Sequence, residues 1–392
     1  MIKKIMWSGD LLKFVDMIQK WSKMKNPQIL DIYSDFLLSS FQIVTATGLS
    51  QLLDNGYSHD QISRFLAQRK FSQKDFWKMV KKLIRTIERD DAILVIDDTI
   101  EEKPHSTEND IICWHWDHTQ GRNVKGINIL NFLYHSSLPD GQDISIPAAF
   151  EIVEKTEKYL DVKTGKVKRR SPVKKNEMVR QRLRTLVQLN RLKFKHVVWD
   201  TWFSAKENFE YVHFNLKKHF VGALKSNRKV ALSKQDKLEG KFVQVEQLDL
   251  QANRTYRVWI KGLDFEVLLA KQVFNNQDGS SGALYLVSND FDLPYTAITT
   301  IYQKRWSVEV FHKSLKQNAS LEKSPTKYEV TQSNHIFAAM IAYCKMEILK
   351  VKTDTNHFAL KARLYQKAVK AALDELLKWK QLAGQQQIPL LG

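Results

Sequence analysis

Residues 302–316 read YQKRWSVEVFHKSLK, one acid, Glu309, among four bases, Lys304, Arg305, Lys313 and Lys316. At a helical step of about 100° per residue, Tyr302, Arg305, Glu309, Lys313 and Lys316 fall within about 80° of one another. Val308, Phe311 and Leu315 fall on the far side, where a buried stripe belongs. The spacing predicts an amphipathic helix whose polar face sets a single carboxylate among cations. Two readings are open at this point. Either the face is solvated and laced with i,i+4 pairs such as Glu309 with Arg305 or Lys313, or it gathers an acid and its bases for chemistry on a polyanion.

The bulk of the chain favours a polyanion. Its 392 residues suffice for a large core and two or three domains, and 43% hydrophobic content fits an ordered globular protein. Sixty-one Lys and Arg against 43 Asp and Glu leave a net charge of +18, and the pI is near 9.6. Such an excess points to nucleic acid, because every phosphate neutralised releases counterions. The bases are not confined to one amphipathic helix, which argues against a membrane surface. Two cysteines exclude a disulfide framework and suit a reducing compartment. The opening MIKKIMWSGDLLKF lacks the apolar core of a signal peptide, and the longest apolar run, Ile336 to Cys344, is half a bilayer span. The expectation is a soluble cytoplasmic protein that meets DNA and no membrane.

Residues 1–88 read as a helical, DNA-binding domain. Ser58 with Gln61 has capping-box spacing, and Ser72 with Asp75 resembles it. The two helices that follow are rich in Lys and Arg and suit either a helix-turn-helix reader or a plain bundle with a basic exterior. From Asp91 the pattern turns to strands: AILVIDDT, IICWHW, VKGINILNFLYH and ISIPAAFEIV, then HVVWD after a basic stretch. Residues 89–218 are therefore expected to form an α/β core. Residues 219–292 are read as a β-rich insertion, 293–320 as the completion of the core by the helix quoted above, and 321–392 as a helical C-terminal region with helices near 331–351 and 357–382.

Three carboxylates fall where sites gather. Asp98 and Asp200 end apolar strands, and Glu309 sits on the helix; α/β sheets collect ligands at the carboxyl ends of strands. Phosphoryl-transfer enzymes need hard oxygen ligands for two Mg²⁺ ions about 3.5–4 Å apart. Taken singly, each aspartate also suits a turn cap. Together on a strongly basic chain, the three acids are what a metal-dependent nuclease requires.

YQKRWSVEVFHKSLK resembles the Y-x₂-R-x₃-E-x₆-K signature of bacterial cut-and-paste insertion-sequence transposases of the IS-four group, with Tyr302, Arg305, Glu309 and Lys316 filling the four places. Asp97–Thr99 resembles the first catalytic aspartate motif of that family and Val197–Asp200 the second. The order of the motifs, with a β-rich segment before the last, is similar too. The resemblance implies an RNase H-like core within an α/β fold, Asp98, Asp200 and Glu309 as metal ligands and catalytic acids, and two Mg²⁺ ions replaceable by Mn²⁺. It also implies double-stranded DNA as partner, at the transposon ends and the target, and a homodimer on DNA. Tyr302, Arg305, Lys313 and Lys316 would grip phosphates. Asp97 and Asp98 point to opposite faces of a strand, so only one meets the metals. Asp98 is taken because the family's acid usually stands directly before Thr.

Other signals are weaker. CWHWDH, Cys113 to His118, could suggest zinc, but no second Cys/His cluster has finger spacing, so core packing with surface histidines is favoured. Trp306 is read either as core or as a platform for an extruded base, the resemblance favouring the base. Between Lys163 and Lys195 the only acid is Glu177, and Lys168, Arg169 and Arg170 are expected to contact the DNA backbone.

Overall fold

The structure, a computed structural model, describes residues 27–117, 120–275 and 279–385. The N-terminal stretch examined for targeting and His118 of the histidine-rich motif lie outside them. Two compact units divide the chain: Arg69–Lys313 with Lys327–Asn334, and the described remainder.

The larger unit is built on a mixed sheet. Helix α4 (Gln73–Ile87) leads into β1 (Ile93–Glu102), β2 (Cys113–Asp117), β3 (Arg122–Ser137) and β4 (Asp143–Ile152). A hairpin of β5 (Glu157–Asp161) and β6 (Lys166–Arg170) precedes helix α5 (Lys175–Arg184), β7 (His196–Trp199), the short α6 (Lys206–Glu210) and β8 (His219–Leu224). β1 pairs antiparallel with β3 and parallel with β7, and β7 pairs parallel with β8. β4 lies along the other edge of β3, giving the order β4-β3-β1-β7-β8. Ile93 to Ile96 are buried without alternation, the mark of a strand covered on both faces.

Beyond β8 the same sheet continues. β9 (Lys229–Ala231), β10 (Val243–Gln244), β11 (Thr255–Ile260), β12 (Val267–Asn275) and β13 (Ser281–Ser288) extend it through β13, which pairs with β8. The segment read as a β-rich insertion is thus joined edge to edge to the core. Among its described residues the one α-helix, α7 (Lys234–Leu238), is one turn long.

Both expected capping boxes form. Ser58 opens α3 (His59–Ala67) with Gln61, and Ser72 opens α4 with Asp75. The two helices fall in different units, however. Phe76, Val80, Leu83, Ile84 and Ile87 recur at helical spacing and are buried, and Phe76 meets Phe150 of β4 edge-on at 5.1 Å. One face of α4 packs into the sheet unit, while Lys74, Lys78, Lys81 and Lys82 stand exposed on the other.

The single helix expected over 302–316 is two. α8 (Tyr295–Gln303) ends, and α9 (Trp306–Gln317) begins after a tight turn at Lys304 and Arg305. The backbone N–H groups of Arg305, Ser307 and Val308 bond three residues back, to Tyr302, Lys304 and Arg305. This tightening changes the angular count on which a continuous polar face depended. Val308, Phe311 and Leu315 are nonetheless fully buried.

The smaller unit is helical in its described part. α1 (Pro27–Ser39), α2 (Ala46–Leu52) and α3 are joined by α10 (Glu329–Thr353), most of which lies in this unit, and by α11 (His357–Gln385). The apolar run Ile336–Cys344 is buried throughout. Lys345 reaches Asp31 and Asp35 at 2.6 and 2.7 Å, and the Oε2 of buried Glu347 lies 2.8 Å from His357 Nε2. No helix among the described residues is long and apolar enough to cross a membrane.

Candidate active site

Where the buried run of β1 ends, alternation sends its two aspartates to opposite faces. Asp97 stands in register with Asn131, whose side-chain amide donates to His312 Nε2 of α9 at 3.0 Å. One ligand atom each of Asp97, Glu309 and His312 lies within 4.8 Å of the others. Asp98 faces the other way, where its Oδ2 accepts from Lys175 Nζ of α5 at 2.9 Å and from Asn128. The structure therefore brings Asp97, and not Asp98, to Glu309. The expectation had ranked the residue before Thr99; the register of β1 against β3 and the packing of α9 set the opposite face toward the glutamate.

Asp200 starts the turn after β7, and its Oδ1 accepts the backbone N–H of Trp202 at 2.9 Å. The turn is pinned from below. Fully buried Trp199 donates its indole N–H to Ser204 Oγ at 3.2 Å, and Ser204 Oγ donates to the Ala223 carbonyl at 2.6 Å. Gly222 on β8 makes room for this, since a Cβ there would meet Trp199 Nε1 at 2.5 Å.

Burial is the first cause that pushes the Asp97 carboxyl up to about 8, followed by the neighbouring Asp200 and Asp98 carboxylates. Asp200 is likewise raised, chiefly by burial. Against this stands Arg305, 15% exposed, whose Nη1 donates to Asp97 Oδ2 at 3.3 Å and to Glu309 Oε1 at 3.1 Å. Its guanidinium lies 5.9 Å from the Tyr302 ring centre and 5.6 Å from that of Trp306. Tyr302 is pushed up to about 12, mainly by burial. Trp306 is 63% exposed, which removes the core reading for it.

Tyr302, Arg305, Trp306 and Glu309 are thus gathered at one place. Lys313 is exposed one turn beyond Glu309, and Lys316 lies in the smaller unit, 3.6 Å from Glu322. The basic hairpin is already committed to acids. Lys168 pairs with Asp161, Arg169 with Asp110, and Arg170 with Glu157 at 2.8 Å. These acids come from β5 and from the segment before β2, outside the stretch whose charge was counted. In β2, Cys113 and His115 turn inward while Trp114 and Trp116 are half exposed. Burial pushes the Cys113 thiol up to about 11 and His115 down to about 3, and Cys113 Sγ donates to the Asn109 carbonyl at 2.9 Å. Within the motif, Cys113 and His115 pack as core residues.

His312, Asn131 and Lys175 were missed by the sequence reading. His312 stands three residues after Glu309, an i,i+3 spacing that could have signalled it. Asn131 and Lys175 carry no local signal, because only strand register and helix packing bring them in.

A divalent cation fits this group. Buried acids raise one another's affinity for protons, a crowding of negative charge that a cation would relieve. Asn131 Nδ2 has hydrogens alone to offer, so it donates to His312 Nε2, an acceptor that a cation would take over in its place. Asn131 Oδ1 is buried with no donor among the described residues.

Residues 21–240 match the family described as DDE superfamily endonuclease. This covers more than half of the chain, which belongs to that family. Residues 161–345 also match the transposase DDE domain. No curated protein matches the sequence. Among solved structures, the chain is similar to one from the Drosophila P element transposase strand transfer complex, at 12% identity and a TM-score of 0.23. That likeness covers 49% of this chain and only 36% of the other, and is too loose to carry any inference.

Proposed function

We propose that the protein is a DNA transposase of the IS-four type that cuts the ends of its own insertion sequence and joins them to target DNA. Two acids from distant parts of the chain, Asp97 and Glu309, share one arginine, with Asp200 close enough to act electrostatically on Asp97, and this supports the reading. The family match supports the catalytic class, and the sheet order β4-β3-β1-β7-β8 supports an RNase H-like core. Asp97, Asp200 and Glu309, with His312 beside them, would hold Mg²⁺ or Mn²⁺; two oxygen-rich sites suit either ion. A bound divalent cation supplies Lewis-acid stabilisation of charge on the phosphoryl oxygens.

In the first step water attacks phosphorus and the P–O3′ bond breaks, leaving a 3′-hydroxyl and a 5′-phosphate. In the second, the 3′-hydroxyl attacks a target phosphodiester and the target's own 3′-oxygen leaves. Arg305 supplies the counter-charge: it bridges Asp97 and Glu309 as seen, and a phosphate offers it an equivalent anion. The Tyr302 hydroxyl donates to a phosphate oxygen, and Trp306 presents an open aromatic face to a base. Asp98 with Lys175 positions the neighbouring strand end. Joining two ends in one event calls for two copies, so the active form is a homodimer acting on DNA in the cytoplasm.

The test is cleavage of DNA carrying the flanks of this gene. Strand cuts at the element ends that need Mg²⁺ or Mn²⁺ and stop in chelator support the reading; no cutting under any of these conditions overturns it.

A further inference from the structure

The hairpin of β5 and β6 forms a two-stranded sheet of its own and pairs with no other strand among the described residues. Two strands alone are marginal in water, so their order depends on what holds the base. There Arg169 turns inward to Asp110 and to the Lys155 carbonyl. Arg170 pairs with Glu157 and lies 5.6 Å from the Tyr159 ring centre. Both roots of the hairpin are tied beside Asp98. Val153, just before β5, donates its backbone N–H to the Asn128 carbonyl at 2.9 Å, and the Asn128 side chain bonds Asp98. Lys175, just after β6, reaches Asp98 at 2.9 Å. The hairpin therefore projects from beside the strand that carries the first candidate acids.

Its outer part is open. Leu160 and Val167 are cross-strand partners, 63% and 67% exposed, and Val162 next to them is exposed as well. These apolar side chains cover no core, so the tip has surface to offer a partner. Residues 157–170 hold six bases against two acids. Lys168, Arg169 and Arg170 are committed to acids, whereas Lys158, Lys163 and Lys166 are exposed and make no ion pair among the described residues. Three free ammonium groups on one ribbon suit a polyanion. The two acids of the hairpin, Glu157 and Asp161, are already paired, so a second hairpin would bring bases against bases.

The major groove of duplex DNA, about 12 Å wide, admits a two-stranded β-ribbon. Lysines on such a ribbon meet phosphates, and apolar side chains meet thymine methyl groups. We propose that the β5–β6 hairpin is an arm that enters the major groove of the duplex beside the cut. Lys158, Lys163 and Lys166 lie on its phosphates, and Leu160, Val162 and Val167 face the base edges. This rests on the transposase reading above and adds to it the element that grips the duplex next to the acids.

Binding in chelator, where nothing is cut, isolates the arm. Full-length protein is titrated across a salt series with a fluorescent blunt duplex. Lys158→Gln, Lys163→Gln and Lys166→Gln, combined, should lower the log–log salt slope by about two to three phosphate contacts, at about 0.9 each. Arginine at the same three positions should keep the slope, because the charge on the phosphates is kept. Leu160→Ser with Val167→Ser should weaken binding about fivefold at every salt concentration and leave the slope unchanged, since apolar contacts release no counterions. All five side chains are exposed, and thermal melting checks that each variant is folded. A duplex whose cytosines carry glucosylated 5-hydroxymethyl groups has its major groove filled; the wild type should bind it more weakly, and the triple Gln variant should lose less. A triple Gln slope equal to that of the wild type overturns the proposal, as does undiminished binding to the glucosylated duplex. Self-association lost in the Leu160→Ser, Val167→Ser variant with duplex binding unchanged overturns it too, and gives this face to a second copy. Failure of the wild type to cut DNA would sink the transposase reading while leaving the lysine-dependent slope intact, so the two failures are distinguishable.

Discussion

Arg305 Nη1 lies 3.3 Å from Asp97 Oδ2, a contact between residues 208 positions apart that ties the turn before α9 to the middle of β1. The same nitrogen serves Glu309, so one guanidinium holds two acids of the site together. Arg305→Ala should therefore cut end cleavage at least about a hundredfold, and Arg305→Lys should rescue it poorly, because an ammonium cannot reproduce the planar fork. Thermal melting beside the cleavage rates separates this from unfolding. Phe311→Ala, on the buried side of α9, should instead cost about 3–5 kcal/mol of stability.

The raised Asp97 carboxyl has a consequence for stability. In the folded state it titrates near 8, above its usual value of 3.8, so the folded protein binds more protons between those limits. Its contribution is fully present below about pH 4 and is lost as pH rises toward 8. Denaturant unfolding without divalent cations should show stability falling over that window, and Asp97→Asn should flatten the fall. Saturating Mn²⁺ should flatten it as well, because a cation favours the ionised carboxylate.

Gly222→Ala should destabilise the protein by about 1–3 kcal/mol, since the new methyl group meets the buried Trp199 indole that pins the Asp200 turn. Unfolding midpoints measure the cost. A residual cleavage rate that falls further than the folded fraction would show that the turn itself has moved.

The β6 bases should matter less than their number suggests. Each free phosphate contact contributes about 0.9 to the log–log salt slope. Lys168, Arg169 and Arg170 are all paired with acids, so neutralising the three together should lower the slope of duplex binding by less than one such contact. A drop near three contacts would mean that DNA displaces the acids.

The apolar runs ending in Asp97–Asp98 and in Asp200 announced the sheet and its site, because a strand buried on both faces must be continuous in hydrophobicity. The capping boxes at Ser58 and Ser72 were equally legible, being chemistry within four residues. What could not be read were relations between distant segments. The choice between Asp97 and Asp98 depends on the register of β1 against β3 and on which face α9 covers. The pairing of Arg169 with Asp110 spans three strands and a hairpin, so a count of local charge overstated the free bases. The break at Lys304 arises from three short backbone bonds that helical periodicity does not encode.

The most direct measurement is Mn²⁺ binding and strand cleavage in Asp97→Asn beside Asp98→Asn, on DNA carrying the flanks of this gene. The account expects Asp97→Asn to lose both, and Asp98→Asn to keep Mn²⁺ binding while cutting more slowly. Cation binding and cleavage retained in Asp97→Asn but abolished in Asp98→Asn would contradict it.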